Sequence, residues 1–156
     1  MTDKYFMHRI QEENGAFTKG IEVHDDLDSA IRAFWGRMKT AYNNQAMPFA
    51  HCKITDVNGN VVSHYDMACQ NGETGENKFF VHSIRENGET VTKGIDAYDS
   101  YDEARSAYAT AMEYGYNNPK FANVTYVSCE ITDKSGAVMT PYSETWIKPE
   151  EEPEEE

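Results

Sequence analysis

Alternating apolar and polar residues occur in short segments along the chain, and the same order of segments appears in both halves. Residues 5–10 are apolar and rich in β-forming side chains, Asn14-Gly15 predicts a hairpin turn, and residues 17–24 predict the returning strand. A second hairpin is predicted around Asp56 and Gly59, because Asp is favoured early in a turn and Gly at its positive-φ position.

Between the two hairpins the apolar period lengthens to that of a helix. Asp26 is placed to cap the first turn, and Asn43-Asn44 to end the helix, since Asn tolerates the left-handed conformation often found there. In the second half, Ser100 and Glu103 have the spacing of a capping box. The predicted apolar stripe contains Ile31, Phe34, Trp35, Met38 and Tyr42 in the first half and Ala104, Tyr108, Met112 and Tyr116 in the second.

The sequence itself is duplicated. KYFMHRI at residues 4–10 returns as KFFVHSI at residues 78–84, and CKITDVNG at residues 52–59 returns as CEITDKSG at residues 129–136. The offset is 74 in the first part and 77 after a three-residue insertion near residues 119–123. About 25 of roughly 65 aligned positions are identical, which indicates two copies of one unit.

We therefore predict an α+β protein made of two ββαββ repeats, each a four-stranded antiparallel sheet with one helix across a face. The predicted strand order within each repeat is 2-1-3-4. A unit of about 65 residues is marginal alone and gains stability by packing against its twin. The predicted boundaries are 4–68 for the first repeat, 69–77 for a polar linker, 78–148 for the second repeat and 149–156 for a disordered acidic tail.

The first strand of each repeat is apolar on both faces. We predict that Phe6, His8 and Ile10 face the helix, which leaves Tyr5 and Met7 on an outer face that is covered or binds a partner. The candidate binding surface consists of Tyr5 and Met7, their equivalents Phe79 and Val81, and the acidic second-strand positions Glu22 and Asp96.

Composition restricts the class of function. The chain has 156 residues, with 14 Lys and Arg against 27 Asp and Glu, so its net charge is −13. The acidic C-terminal run accounts for six of these charges and leaves −7 on the body. This charge disfavours direct binding to nucleic acid, which needs a positive surface. No apolar stretch approaches the ~18 residues of a membrane span, and no signal peptide is apparent, so we expect a cytoplasmic protein.

A second candidate site is a ligand site between the repeats. His8 and His82 occupy equivalent positions, as do Lys19 and Lys93 in the repeated Thr-Lys-Gly segment. These residues could form a paired base or bind an anion, but we favour hydrogen-bonded, partly buried histidines. At the glycines of that segment we favour a β-bulge or a close packing contact with the helix.

The sequence indicates neither a catalytic centre nor a metal or cofactor site. Cys52 and Cys129 are equivalent and alternate with Ile54 and Ile131, so we predict buried free thiols rather than metal ligands. Cys69 falls in the predicted linker. The Asp residues lie at predicted caps and turns, where they have a local structural role.

Two functions from different classes remain. The first is a non-enzymatic acidic binding protein that acts on a basic protein partner, for example as a nucleic-acid mimic or inhibitor, by analogy with phage proteins that inhibit host nucleases. The alternative is a small-ligand-binding protein or enzyme with a site between the repeats. A pocket lined by the equivalent His and Lys residues would favour the second.

Overall fold

The computed structural model of the protein describes residues 4–13, 16–44, 47–70, 78–116 and 119–149. The first predicted turn, Asn14-Gly15, most of the predicted linker and nearly all of the acidic tail lie outside these ranges. In chain order, the elements are β1 (Tyr5–Glu13), β2 (Ala16–His24), α1 (Leu27–Asn43), β3 (Phe49–Thr55), β4 (Val61–Gln70), β5 (Phe79–Asn87), β6 (Thr90–Tyr98), α2 (Tyr101–Met112), a 3₁₀ turn (Pro119–Phe121), β7 (Val124–Thr132) and β8 (Val138–Ile147).

The strands form two antiparallel four-stranded sheets, ordered β2-β1-β3-β4 and β6-β5-β7-β8. Each sheet is accompanied by one helix, so the predicted tandem ββαββ fold and its strand order are confirmed. The predicted boundary between the first repeat and the linker is wrong by two residues. Cys69 and Gln70, predicted to begin the linker, are the last residues of β4, because they pair with Ala50 and Phe49.

The predicted caps and second turns are present. The side chain of Asp26 accepts the backbone N–H of Ser29 at 2.7 Å, and the hydroxyl of Ser100 accepts that of Glu103 at 3.2 Å. In the β3–β4 turn, Asp56 accepts two backbone N–H groups, and Gly59 has a φ of 81°. These side chains satisfy backbone donors that neither helix nor sheet can pair.

The helices differ from the prediction at their C-terminal ends. Asn44 caps α1 with a φ of −114°, an extended rather than left-handed conformation. The second helix already ends at Met112, so Tyr116 lies beyond it and is 58% exposed. Trp35 and Tyr42 are also exposed. Fewer residues of each helix are buried than the apolar stripe in the sequence predicts, because only the residues that point directly at the sheet are covered.

The face assignment of the first strands is wrong. Met7 packs beneath α1 in a cluster with Phe34, and Val81 packs beneath α2. Phe6 and its neighbours on the other face instead form a third cluster between the two sheets. Its buried members are Phe6, Ile10, Ile21, Phe49, Phe80, Ile84, Ile95 and Tyr126. The alternation of a strand shows which residues share a face, but it does not show which face the helix covers.

The protein is therefore layered as helix, sheet, sheet, helix, with the repeats joined by a shared core. The predicted packing of each repeat against its twin is confirmed. The β3–β4 and β7–β8 turns also reach across to the other repeat. A Cβ atom on Gly136 would overlap the imidazole ring of His51, and one on Gly59 would lie 2.5 Å from Oγ1 of Thr145. Both turns thus need glycine for space as well as for conformation.

Candidate functional site

The two equivalent histidines meet at the centre of the sheet–sheet interface. The Nδ1 atoms of His8 and His82 are 2.9 Å apart, and the side chains are 3% and 2% exposed. The central strands β1 and β5 place them there, because each histidine lies on the strand face opposite its helix. Of the residues predicted for a site between the repeats, the structure brings together this pair.

An ion pair accompanies the histidines. Lys53 in β3 is paired with His8 across the strands, and Glu130 in β7 is paired with His82. The ammonium group of Lys53 contacts the carboxylate of Glu130, and these side chains are 1% and 11% exposed. A carboxylate oxygen of Glu130 also lies 3.7 Å from Nδ1 of His82. Four polar side chains thus lie together in the middle of the interface between the sheets.

The cluster lies on an approximate twofold axis that relates the repeats. His8 and His82 are equivalent at the offset of 74, and Lys53 and Glu130 are equivalent at the offset of 77. A residue touches its own equivalent only near such an axis. The histidine pair has the same residue type at both equivalent positions, whereas the Lys–Glu pair has residues of opposite charge.

Hydrogen bonds orient both imidazole rings. Nε2 of His8 is 2.9 Å from the hydroxyl of Thr55, and Nε2 of His82 is 2.8 Å from that of Thr132, the equivalent residue. Since both rings are neutral, one Nδ1–H donates to the bare Nδ1 of the other. The ring that donates must accept a hydroxyl proton at Nε2, while the ring that accepts donates its Nε2–H to the other threonine.

Burial lowers the pKa of both histidines well below the usual 6.5, and the positive charge of Lys53 acts in the same direction. The unfolded chain therefore binds more protons than the folded chain as pH decreases through 6.5. The stability that these neutral rings contribute is fully present above pH 6.5 and is lost progressively below it. Both imidazoles therefore stay neutral in the folded protein. Their pKa values are too low for an efficient general base near pH 7, which needs a pKa close to the working pH.

The cluster includes three groups capable of binding a metal ion. One ligand atom from each of His8, His82 and Glu130 lies within 4.8 Å of the others, the one such set among the described residues. Imidazole nitrogens whose second nitrogen is hydrogen-bonded are typical zinc ligands. The ammonium of Lys53 already supplies a positive charge to this carboxylate, however, and a divalent ion would have to displace it. The four side chains are held to one another as a buried polar cluster without a metal ion.

The lysines predicted for this site lie at its rim. Lys19 and Lys93 are opposite Ile10 and Ile84 on the edge strands, two positions along from the histidines. Lys93 is exposed and Lys19 is half-buried. The register is continuous through Gly20 and Gly94, so no β-bulge occurs at either glycine. The predicted alternative, a close contact with the helix, is also absent, because a Cβ atom on Gly20 would meet only Nε of Arg9 at 4.0 Å and one on Gly94 would meet nothing within 4 Å.

The candidate binding surface is not an exposed apolar face. Met7 and Val81 are buried, and Tyr5 and Phe79 pack half-buried against the same helices. Glu22 and Asp96 pair with Met7 and Val81 and so share the helix-covered side. Asp96 is exposed at its edge. Because the helices occupy this side, it cannot serve as a continuous apolar docking surface.

Sequence reasoning missed Lys53, Glu130 and the two threonines. A charged residue in an alternating strand normally indicates a solvent-exposed face. The available signal was the offset of 77, which places residues of opposite charge at equivalent positions. This opposite charge indicates an ion pair only if it is known that the two equivalent strands, β3 and β7, face each other.

The cysteines are free and buried, as predicted for Cys52 and Cys129. Burial raises the pKa of both thiols to about 12, which makes them poor nucleophiles. Cys69 is also free and buried, at the end of β4.

The exposed surface is acidic. Among the described residues, about twice as many carboxylates as Lys and Arg side chains are exposed. Several lie at the helix N-termini, where Asp25 pairs with Lys4, and its equivalent Asp99 pairs with Lys78. Within the described ranges, no helix is both long and apolar enough to cross a bilayer.

Comparison with known proteins gives no relative: no family model, curated protein or solved structure matches this chain.

Proposed function

We propose that this chain is a non-enzymatic binding protein that binds a basic protein partner in the cytoplasm. The partner would be a nucleic-acid-binding protein, and the chain would act as a mimic of its nucleic acid. The observation that carries the proposal is the excess of exposed carboxylates on an ordered, two-repeat body. Charges with fixed geometry can match the charge pattern of a partner, whereas tail charges mainly raise the encounter rate.

The closed interface between the repeats supports binding over catalysis. The histidine pair is buried and hydrogen-bonded, and the pKa shift of both rings disfavours proton transfer at neutral pH. The first-turn carboxylates of the helices are the candidate contact. Asp28 and its equivalent Asp102 are exposed, and each occupies one of two similar surfaces, which suits a repetitive or two-fold partner.

The test uses a panel of purified basic nucleic-acid-binding proteins, with binding rates measured at low and high salt and with duplex DNA as competitor. We expect DNA and this chain to compete for the same partner. We also expect affinity to fall as salt rises, because screening acts over ~8 Å at physiological ionic strength. The chain itself should not retard DNA in a gel.

Two variants with the same charge change separate body from tail. Asp28→Lys with Asp102→Lys should lower affinity by about 10-fold or more, while Glu154→Lys with Glu155→Lys should mainly slow association, by a few-fold. Binding that does not respond to salt, or that responds more strongly to the tail variant, would contradict the proposal.

A further inference from the structure

The second repeat contains a cavity between α2 and the β5–β6 hairpin. Its volume is about 310 Å³. Protein sites for small molecules span about 300–1,000 Å³, so this cavity is of a size for a small ligand. The walls are mostly apolar, with contributions from Val81 and Val127 of the sheet and Ala107 and Ala111 of the helix.

The middle of the cavity floor is open because β6 has a glycine there. Gly94 pairs with Ser83 and lies between two lining residues, Thr92 and Asp96. A Cβ atom built on Gly94 would have no heavy atom within 4 Å. In the first repeat the equivalent Gly20 pairs with Arg9, whose Nε lies 4.0 Å from the corresponding Cβ position.

Three lining positions are smaller in the second repeat than in the first. Val81, Ser83 and Ala111 line the cavity, and their equivalents at the offset of 74 are Met7, Arg9 and Arg37. Both arginines of the first repeat are half-buried, and Nε of Arg9 is fully buried. The first repeat thus has longer side chains at these positions, and one of them, Arg9, approaches the glycine that is open in the second repeat.

The wall at the C-terminal end of α2 is also particular to the second repeat. Here the helix ends early, at Met112, and Tyr114 turns to line the cavity. Its ring packs at a tilt of 40° against Phe121, with 4.3 Å between centroids, and Phe121 lies in the 3₁₀ turn near the three-residue insertion. The next residue, Gly115, packs against the Trp146 ring, where a Cβ atom would have only 3.0 Å. Helix length, insertion and packing therefore combine to position one aromatic side chain.

An arginine at this end has spare binding capacity. The guanidinium group of Arg85 lies 4.0 Å from the ring centroid of Tyr114, and it forms no hydrogen bond or ion pair with any other described residue. Asp96 is four positions beyond the partner of Arg85 on β6, about 13 Å along the strand. The cavity is therefore positive at the end near Tyr114. Guanidinium groups bind carboxylates in a two-pronged geometry that neutral groups cannot replace.

We propose that this cavity binds a small carboxylate with a planar apolar body, with the carboxylate on Arg85 and the body over Gly94. The site lies within one repeat, so it is separate from the interface between the repeats. It does not depend on the proposed protein partner.

The test measures binding of cinnamate, the neutral cinnamamide and the cationic cinnamylamine to the full chain by nuclear magnetic resonance titration. We expect cinnamate to bind at least about 5-fold more tightly than the other two. Gly94→Leu fills the floor, and Ser83→Arg copies the first repeat; each should weaken cinnamate binding by about 10-fold or more. Lys93→Gln, on the opposite face of the same strand, is the matched control and should leave it unchanged.

Three results would overturn the proposal. The first is that no probe binds at about 5 mM, and the second is that cinnamate and cinnamamide bind equally. The third is that the Gly94→Leu protein is as stable in urea as the wild type and still binds cinnamate with undiminished affinity. If Gly94→Leu does not fold, Arg85→Met decides. It should abolish the preference for cinnamate over cinnamamide, and a preserved preference would show that Arg85 is not the carboxylate site.

Discussion

Replacement of Lys53 by Met tests whether the buried ion pair stabilises the contact between the repeats. Met retains most of the apolar stem of Lys53, which is 1% exposed, but leaves the Glu130 carboxylate, 11% exposed, without its counter-charge. Loss of one partner of a buried pair costs about 3–5 kcal/mol, and the partial exposure of Glu130 favours the lower value. For a chain of this size, Tm should fall by roughly 6–12 °C.

Equilibrium unfolding in urea measures the free energy, with two double variants as controls. Lys53→Met with Glu130→Leu removes both charges and should restore wild-type stability or exceed it, because apolar replacement of a buried pair is often neutral or stabilising by about 1–4 kcal/mol. Lys53→Glu with Glu130→Lys exchanges the charges and should recover most of the loss. If Lys53→Met costs less than about 1 kcal/mol, or if the apolar double variant is as unstable as the single one, the reasoning is refuted.

Three further predictions concern the core and the interface. Phe34 is fully buried on the inner face of α1, and Phe34→Ala should cost about 3–5 kcal/mol; a much smaller loss in urea unfolding would mean that the ring is not enclosed. Gly136→Ala should destabilise by about 1–3 kcal/mol more than Gly88→Ala, since both have positive φ but a Cβ atom meets His51 only at Gly136; equal losses would contradict the contact between the repeats. Stability should decrease below pH 6.5 by up to about 1.4 kcal/mol per pH unit for each neutral imidazole, and His8→Gln with His82→Gln should remove this slope even if it lowers stability at every pH.

The sequence predicted the elements and their order because the local signals repeat. Asp26 and Ser100 are caps in both copies, and Gly59 and Gly136 form equivalent turns. These features depend on a few neighbouring residues, so a single sequence carries them.

The orientation of the sheets was beyond these signals. β1 has apolar residues on both faces, and the helix takes the face with Met7 rather than the face with Phe6. That choice depends on how two faces pack over long range, which local periodicity does not contain. The equivalence of His8 and His82 was visible from the repeat. Their contact was not, because it is made by the strand face that we predicted to lie against the helix.

The cavity of the second repeat was hidden for a different reason. Substitution of Met7 by Val, or of Arg9 by Ser, between repeats looks like ordinary divergence in an aligned pair. The loss of volume becomes visible only when these positions are known to surround one glycine beneath a helix.

The Lys–Glu contact on the twofold axis has a historical consequence. In a dimer of two identical chains, a residue on the axis faces its own copy, so position 53 would place lysine against lysine, or glutamate against glutamate. Opposite charges can meet there only after the two copies are encoded separately. The present pair therefore dates from after the duplication, and it favours association of each half with its own sister rather than with the same half of another molecule.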